Sequence, residues 1–161
     1  MLNKHTLVAD IIRALTELHA IAKEGADNAH AGAIDEQSVA ETQYDTLGLE
    51  SAYLAEGLGR RVLMYQQEIH AYQQLLLRDF TADDAIKVGA YIVISNDEGL
   101  KRSLFFGPCS GGLQVAVDQI QLSVITRESP LGSALLDKYL DDEVTLKLMG
   151  KSQTWTIDTV C

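Results

Sequence analysis

The stretch VADIIRALTELHAIAKEGADNA, residues 8–29, decides how the N-terminal half of this chain folds. Its apolar and small residues recur at alternating steps of three and four: Val8, Ile11, Leu15, Leu18, Ala22, Gly25 and Ala29. This spacing is the a/d seam of a coiled coil, along which one helix packs on another. The stretch contains no proline that would force the helix to end. It therefore predicts a long helix that needs a partner helix.

A second seam follows later in the chain and supplies that partner. Its first members step by four, three and four, and they are Leu47, Ser51, Leu54 and Leu58. After one slipped step, the pattern continues with Val62, Tyr65, Ile69, Tyr72 and Leu76. A strict heptad pattern indicates left-handed supercoiling, and the slip predicts a local unwinding of the second helix.

The turn between the two seams is expected at HAGAIDEQS, residues 30–38. Gly32 is a natural helix terminator there, and Asp35 is a suitable N-cap for the returning helix. Folding the chain back at this point places Leu15 opposite Leu58. Residues 1–77 are therefore predicted to form an antiparallel coiled-coil hairpin with an acidic tip near residues 31–45.

The period changes from Arg78 onward, where a turn-rich linker, DFTADDAIKVG, begins. Strand-like runs follow: AYIVIS, SLFFG, LQVAV, LSVIT, EVTLKL and TWTIDTV. Asp97, Glu98 and Gly99 fit a hairpin turn between the first two runs, and the last two runs, separated by MGKSQ, are expected to form another hairpin. Ser129 as N-cap and Pro130 at the first helical position mark the start of one short helix. Residues 78–161 thus predict a compact α+β domain of four or five strands around that helix.

The composition indicates a folded, water-soluble chain, with 47% hydrophobic and 22% charged residues among 161. A net charge of −10 argues against a protein that binds nucleic acid by covering phosphates. Charges interrupt the N-terminal residues every few positions, so no signal peptide is expected. No apolar run approaches the roughly 20 residues of a membrane span. A cytoplasmic protein with free thiols at Cys109 and Cys161 is expected.

Negative charge is concentrated in residues 24–59, which contain no Lys or Arg. The acids are Glu24, Asp27, Asp35, Glu36, Glu41, Asp45, Glu50 and Glu56. Like charges on a helix repel, so this concentration costs stability and suggests a function. Carboxylates are ligands that Mg²⁺ prefers, and a few of them could complete a Mg²⁺ site held by another macromolecule. The pattern indicates a protein that acts inside a partner and has no cofactor of its own.

The segment SVITRESPLGSALLDKYLDDEVTLKLMGKSQTWTIDTV, residues 123–160, resembles the C-terminal domain of the GreA/GreB family of bacterial transcription elongation factors. SPLGSALL, DDEVTL and the closing hairpin occur in the family's order. The resemblance implies an FKBP-like domain that binds RNA polymerase at the rim of its secondary channel. It also implies that the hairpin places its tip acids beside the polymerase's Mg²⁺ and assists cleavage of backtracked transcript. The polymerase would be the enzyme, and this protein an accessory factor.

Residue by residue, the resemblance is partial at the tip. Tyr44 matches a family tyrosine, but Gln43 stands where cleaving members have glutamate. Gln37 and Ala40 occupy the two positions of the family's acid pair. The acids that lie close to those positions, and are the expected catalytic residues, are Asp35, Glu36 and Glu41. A factor that occupies the channel without cleaving is the alternative.

For polymerase binding, the resemblance implies the loop before the short helix together with residues next to the acids. The expected binding residues are Tyr44, Asp45, Glu128, Ser129, Pro130 and Leu131. A monomer without sequence-specific nucleic-acid binding and without membrane contact is expected.

Two readings from other classes remain open, a prolyl isomerase and a coiled-coil adaptor. The first follows from an FKBP-like domain, although this half of the chain is poor in the aromatics that line isomerase pockets. GPCSG, residues 107–111, resembles a nucleophile elbow around Cys109, but a strand-like run follows it where that motif needs a helix. The four histidines do not cluster at metal-ligand spacing.

Overall fold

The computed structural model describes residues 3–38, 46–148 and 150–161, with the backbone alone at 35–38, 46, 47 and 148. Two long helices come first, and six strands with one short helix follow. The helices are α1 (Lys4–Ser38), α2 (Thr46–Gln73) and α3 (Pro130–Leu135). The strands are β1 (Tyr91–Asn96), β2 (Lys101–Phe106), β3 (Gln114–Val117), β4 (Ile120–Ile125), β5 (Glu143–Leu148) and β6 (Lys151–Val160).

The chain divides into two compact units. One contains Ile12–His70, which we call the arm, and the other combines Met1–Ile11 with Ala71–Cys161, which we call the sheet unit. The predicted domain boundary between residues 77 and 78 stays a prediction. The predicted fold class, an α-helical hairpin followed by an α+β domain, is confirmed. Within the described residues, no helix is both long and apolar enough to cross a membrane.

The two helices of the arm pack antiparallel. A Cβ added to Gly25 would lie 3.2 Å from Leu58 Cδ1, and one added to Gly32 would lie 3.9 Å from Ser51 Oγ. The predicted register was wrong, because Leu58 lies beside Gly25, ten residues further along α1 than Leu15. The predicted turn was also wrong, since α1 continues through Gly32 to Ser38. Asp35 therefore lies inside α1 and is not the N-cap of α2.

The seam of α2 runs without interruption, so the predicted slip was wrong. Leu54 is 58% exposed, whereas its neighbour Ala55 is half-buried. The inward positions step by three and four throughout: Gly48, Ser51, Ala55, Leu58, Val62, Tyr65, Ile69 and Tyr72. Leu76 is 91% exposed and lies beyond the end of α2 at Gln73, so it is no seam residue. With Ala55 in the seam, no local unwinding is needed.

The six strands form one mixed sheet in the order β3-β4-β2-β1-β6-β5. The predicted hairpins β1–β2 and β5–β6 are confirmed as antiparallel pairs, and the expected number of four or five strands was too low. β2 and β4 pair in parallel, with Leu104 opposite Ser123, so β3 lies outside β4 at the edge.

The core of the sheet unit contains a cluster of buried aliphatic and aromatic side chains from β1, β2, β4, β5, β6 and α3. Trp155 is its largest fully buried member. Phe80 and Ile86, from the segment predicted as a linker, also belong to this core. Backbone hydrogen bonds fix that segment, with Ile86 N donating to Lys138 O at 2.8 Å. The segment is therefore part of the folded unit.

Candidate functional site

The described part of the arm presents an acidic surface. Glu24, Asp27, Glu50 and Glu56 are all exposed on the two paired helices. Glu56 Oε1 accepts a hydrogen bond from Arg60 Nη2 at 2.5 Å, one helical turn further on. Exposed pairs of this kind contribute little stability. The surface therefore carries a negative charge that the basic residues of the arm do not balance.

Two of the three predicted catalytic residues, Asp35 and Glu36, lie where α1 ends. The backbone of Asp35 and Glu36 belongs to the last turns of α1, while their side chains lie outside what the structure describes. Glu41, Tyr44 and Asp45 also lie outside the described residues. The functional assignment of all five stays a prediction. Across residues 3–38, 46–148 and 150–161, no three His, Cys, Asp or Glu side chains are grouped to hold a metal ion.

An open groove of about 480 Å³ runs between the helices of the arm. Half of its eight lining residues are alanines, and they are Ala26, Ala33, Ala52 and Ala55. Their short side chains leave the space of the groove open. Asp27, His30 and Glu56 also line the groove, so its lining carries two carboxylates.

The predicted start of the short helix in the sheet unit is confirmed. Ser129 is the N-cap of α3, and its Oγ accepts a hydrogen bond from Gly132 N at 3.1 Å. The same hydroxyl donates to Thr126 O at 2.8 Å, which fastens the loop to the helix. Pro130 follows at the first helical position, where its missing N–H costs nothing. The Ser129 hydroxyl is thus engaged within the fold.

The remaining predicted polymerase-binding residues of this loop are available at the surface. Glu128 and Pro130 are exposed, and Leu131 is half-buried. At these neighbouring positions, Glu128 presents a charged side chain, Pro130 a rigid one and Leu131 an apolar one. The loop could therefore dock on a protein surface while Ser129 maintains its conformation.

A cavity of about 410 Å³ on the sheet adjoins Leu131, and sequence reasoning missed it. Arg102, Gln114, Gln121 and Ser123 give it polar walls. β2 and β4 pair in parallel, with Leu104 opposite Ser123, and this pairing brings residues of the two strands together in the lining. None of the described lining residues is aromatic.

The structure also shows which elements flank Cys109. The segment from Gly107 to Ser110 leaves β2 and leads through a turn to β3, with Ser110 at φ 62°. A strand therefore follows Cys109, as expected, and the nucleophile-elbow arrangement is not formed.

These features define the class of protein: an antiparallel helical arm with an acidic surface, joined to a mixed α+β sheet unit. No protein-family model and no curated protein sequence matches the chain. Solved structures do match it. The GreA factor homolog 1 (Gfh1) of Thermus thermophilus is 15% identical, with 93% of this chain and 94% of that chain covered and a TM-score of 0.38.

Two further structures show the same kind of likeness. Thermus aquaticus Gfh1 is 17% identical, with 92% of each chain covered and a TM-score of 0.39. The transcription elongation factor GreA/GreB from Nitrosomonas europaea is 14% identical, with 60% of this chain and 78% of that chain covered and a TM-score of 0.36. The matched structures are thus Gre-type factors, the family that the sequence resembles. At these identities the likeness concerns the fold, and the function of this chain does not follow from it.

Proposed function

We propose that this protein is a transcription elongation factor that binds bacterial RNA polymerase at its secondary channel and promotes Mg²⁺-dependent cleavage of backtracked transcript. The observation that carries the proposal is the charge of the arm: residues 24–59 hold eight acids and no Lys or Arg. Six of those acids belong to two long paired helices, and Glu41 and Asp45 lie outside the described residues. The polymerase supplies the nuclease activity and the metal, and this chain supplies carboxylates.

The helices provide length as well as charge. At 1.5 Å per residue, the 35 residues of α1 extend about 52 Å. Asp35 and Glu36 lie at its C-terminal end, where the helix dipole adds further negative potential. Carboxylate oxygens in that position attract a hard cation and suit Mg²⁺ as ligands. The residues of the arm therefore bring negative charge to a metal that the polymerase already holds.

The loop at Glu128, Pro130 and Leu131 serves as the docking surface for the polymerase in this proposal. Ser129 has a positioning role, because its hydroxyl joins Thr126 O to Gly132 N and fixes the loop. Docking by a rigid loop costs less conformational entropy than docking by a mobile one. The same surface serves a cleaving and a non-cleaving factor equally well.

Transcript cleavage in a backtracked elongation complex tests the proposal. The protein is expected to accelerate cleavage, and the triple change of Asp35, Glu36 and Glu41 to Ala is expected to remove the acceleration. The matched control changes three exposed acids of the sheet unit, Asp83, Asp97 and Glu98, to Ala. Both triple variants lose the same charge, so retained activity in the control assigns the effect to the arm.

Competition for polymerase against a cleavage-stimulating factor separates the remaining possibilities. Competition without acceleration of cleavage would identify a non-cleaving occupant of the channel, the reading favoured by Gln43 before Tyr44. Absence of both effects would overturn polymerase binding and leave the adaptor reading.

A further inference from the structure

One helix of the arm, α2, leaves five large apolar side chains at its surface. Leu49, Tyr53, Leu54, Leu63 and Met64 are between 42% and 63% exposed. None of the five belongs to the seam of α2 described above. A cluster of exposed apolar side chains marks a surface that binds another protein. The proposed function gives this surface no role.

The middle of this surface faces away from α1. Leu49, Tyr53, Gly57, Arg60 and Met64 are exposed and recur at steps of four, four, three and four. Residues at this spacing share one face of a helix, and this face lies opposite the seam of α2. We call these five residues the outer face of α2.

The outer face of the other helix in the arm has different chemistry. Its exposed residues, at steps of four, three, four and three, are Arg13, Glu17, Ala20, Glu24 and Asp27. That face of α1 is therefore polar and suits contact with water. Of the two outer faces, the one on α2 has the apolar character of an interface.

The outer face of α2 is complementary to itself when a second copy packs on it in the antiparallel direction. A pairing centred at the helical turn that holds Gly57 places Leu49 of each copy opposite Met64 of the other. It also places Tyr53 opposite Arg60, an arrangement that suits a cation–π contact. Each pair occurs twice, as a symmetric interface between identical chains requires.

A groove on one flank of this face leaves room for a side chain of the second copy. It measures about 330 Å³ and is lined by Tyr53, Leu54, Gly57, Leu58 and Arg61. A Cβ added at Gly57 would meet nothing within 4 Å, so the middle of the groove is open. In the antiparallel pairing, Leu54 of each copy lies close to Gly57 of the other and can occupy that space.

The charges of the overlapping segments favour the same pairing. Residues 49–64 carry two acids, Glu50 and Glu56, and two bases, Arg60 and Arg61, so this segment has no net charge. Glu56 and Arg60 already pair within one copy, at 2.5 Å. Antiparallel packing places Glu50 of each copy beside Arg61 of the other, which makes the charges at the two ends of the segment complementary.

We propose that the outer face of α2 is an interface between two copies of this chain, which pack antiparallel as a symmetric dimer. The contact involves about four turns of one helix on each copy, so it is smaller than a standard protein interface. The dimer is therefore expected to be weak, with a Kd on the order of 10 to 100 μM. The proposal does not depend on polymerase binding.

Sedimentation equilibrium of the full chain tests the proposal. The protein concentrations run from about 5 to 500 μM to span the expected Kd. Salt at about 0.15 M screens the repulsion between two chains that each carry a net charge of −10. A monomer–dimer equilibrium is expected. A protein that stays monomeric over the whole range would overturn the dimer.

Tyr53→Ala tests whether the outer face of α2 forms the contact. Tyr53 is 63% exposed, so the variant is expected to fold, and dimerisation is expected to weaken at least tenfold. Tyr139→Ala is the matched control, because it removes another exposed tyrosine, one that lies in the sheet unit. The control is expected to dimerise as the unchanged protein does. Equal weakening in both variants would overturn the assignment to α2.

Charge reversal tests the antiparallel direction. Glu50→Arg and Arg61→Glu are each expected to weaken the dimer about tenfold, since like charges then meet twice across the interface. The double variant is expected to restore dimerisation. Glu50 and Arg61 lie three turns apart on α2 and cannot pair within one copy, so restoration would report contact between copies. Weakening in both single variants without restoration would overturn the antiparallel packing.

Discussion

Two glycines of α2 and two glycines of the sheet unit have opposite surroundings. A Cβ added at Gly57 or Gly59 of α2 would meet nothing within 4 Å. In the sheet unit, a Cβ at Gly107 would lie 2.8 Å from Val124 Cγ1, and one at Gly132 would lie 2.8 Å from Ser129 Oγ. The sheet unit therefore has no space for an added methyl group at Gly107 and Gly132, whereas α2 has space for one at Gly57 and Gly59.

The buried side chains show the same contrast. Among the described residues 12–70, the buried hydrophobic side chains are Leu15, Ala22 and Ala33, two of which are alanines. The sheet unit instead buries large side chains such as Trp155, Phe105 and Phe106. Burial of apolar area is the main source of stability. The stability of this protein is thus concentrated in the sheet unit, and the arm is the more tolerant region.

The largest effect that tests this contrast is expected for Gly132→Ala. The added Cβ would collide with the Thr126 backbone, so the loop before α3 must shift. We expect the free energy of unfolding of the sheet unit to fall by about 3 kcal/mol or more. Urea unfolding followed by the fluorescence of Trp155, the one tryptophan of the chain, measures it.

Gly25→Ala is the counterpart of that variant in the arm. Its Cβ would lie 3.2 Å from the end of the flexible Leu58 side chain, which can move. The gain of about 1 kcal/mol in helix propensity offsets this crowding, so little net change is expected. If Gly25→Ala were as damaging as Gly132→Ala, the contrast between the two units would be wrong.

A smaller effect of opposite sign is expected for Gly57→Ala and Gly59→Ala. Each change removes a flexible residue from α2 without crowding a neighbour, and should stabilise the helix by about 1 kcal/mol. Slower hydrogen exchange of the α2 amides would show it. Gly99→Ala is the control, because its surroundings are equally open but its φ is +79°. We expect that variant to destabilise the β1–β2 hairpin, and a gain there would contradict the reasoning.

The smallest effect is the pH dependence of the free energy of unfolding that arises from Asp84, in the segment that precedes β1. The backbone N–H and the hydroxyl of Thr81 donate to Asp84 Oδ2, both at 2.8 Å, and hold the pKa of Asp84 below its usual value of 3.8. The folded state therefore binds this proton less readily than the unfolded chain. The stabilisation is present above pH 3.8 and is lost as the pH falls through the lower pKa of the folded state.

Asp84→Asn tests this prediction, since the variant lacks the titrating group. The difference in free energy of unfolding between the two proteins is expected to be constant near neutral pH and to shrink in acid. Denaturant unfolding at a series of pH values measures that difference. A difference that does not change with pH would show that the charge of Asp84 contributes nothing to the free energy of unfolding.

The sequence was sufficient wherever local chemistry decides the structure. Ser129 and Pro130 predicted the start of α3, since capping depends on neighbouring residues alone. The β1–β2 turn was predicted from its Asp, Glu and Gly, and in the structure Asn96 Oδ1 also accepts from Leu100 N at 2.9 Å. The seam of α1 was likewise predicted by its heptad spacing.

Predictions from the sequence were wrong where packing between residues distant in sequence determines the structure. The heptad spacing placed Leu54 in the seam, but close approach of the two helices selects its smaller neighbour Ala55. Gly32 was expected to end α1, yet the cost of a glycine within a helix is only about 1 kcal/mol, which packing near Ser51 can offset. The parallel β2–β4 pair joins two strands that are separated by β3 in the sequence, and no local pattern marks it.

Two pairs of facing residues, Gly25 with Leu58 and Gly32 with Ser51, define the register of the two helices in the arm. From Gly25 to Gly32 the first helix advances seven residues, and from Leu58 to Ser51 the second returns by seven. Removing one heptad from each helix at facing positions would shorten the arm by about 10 Å and leave the remaining pairs in register. Both ends of the arm, Ile12 and His70, adjoin residues of the sheet unit in the chain. The length of the arm can therefore be changed in whole heptads without changing the residues of that unit.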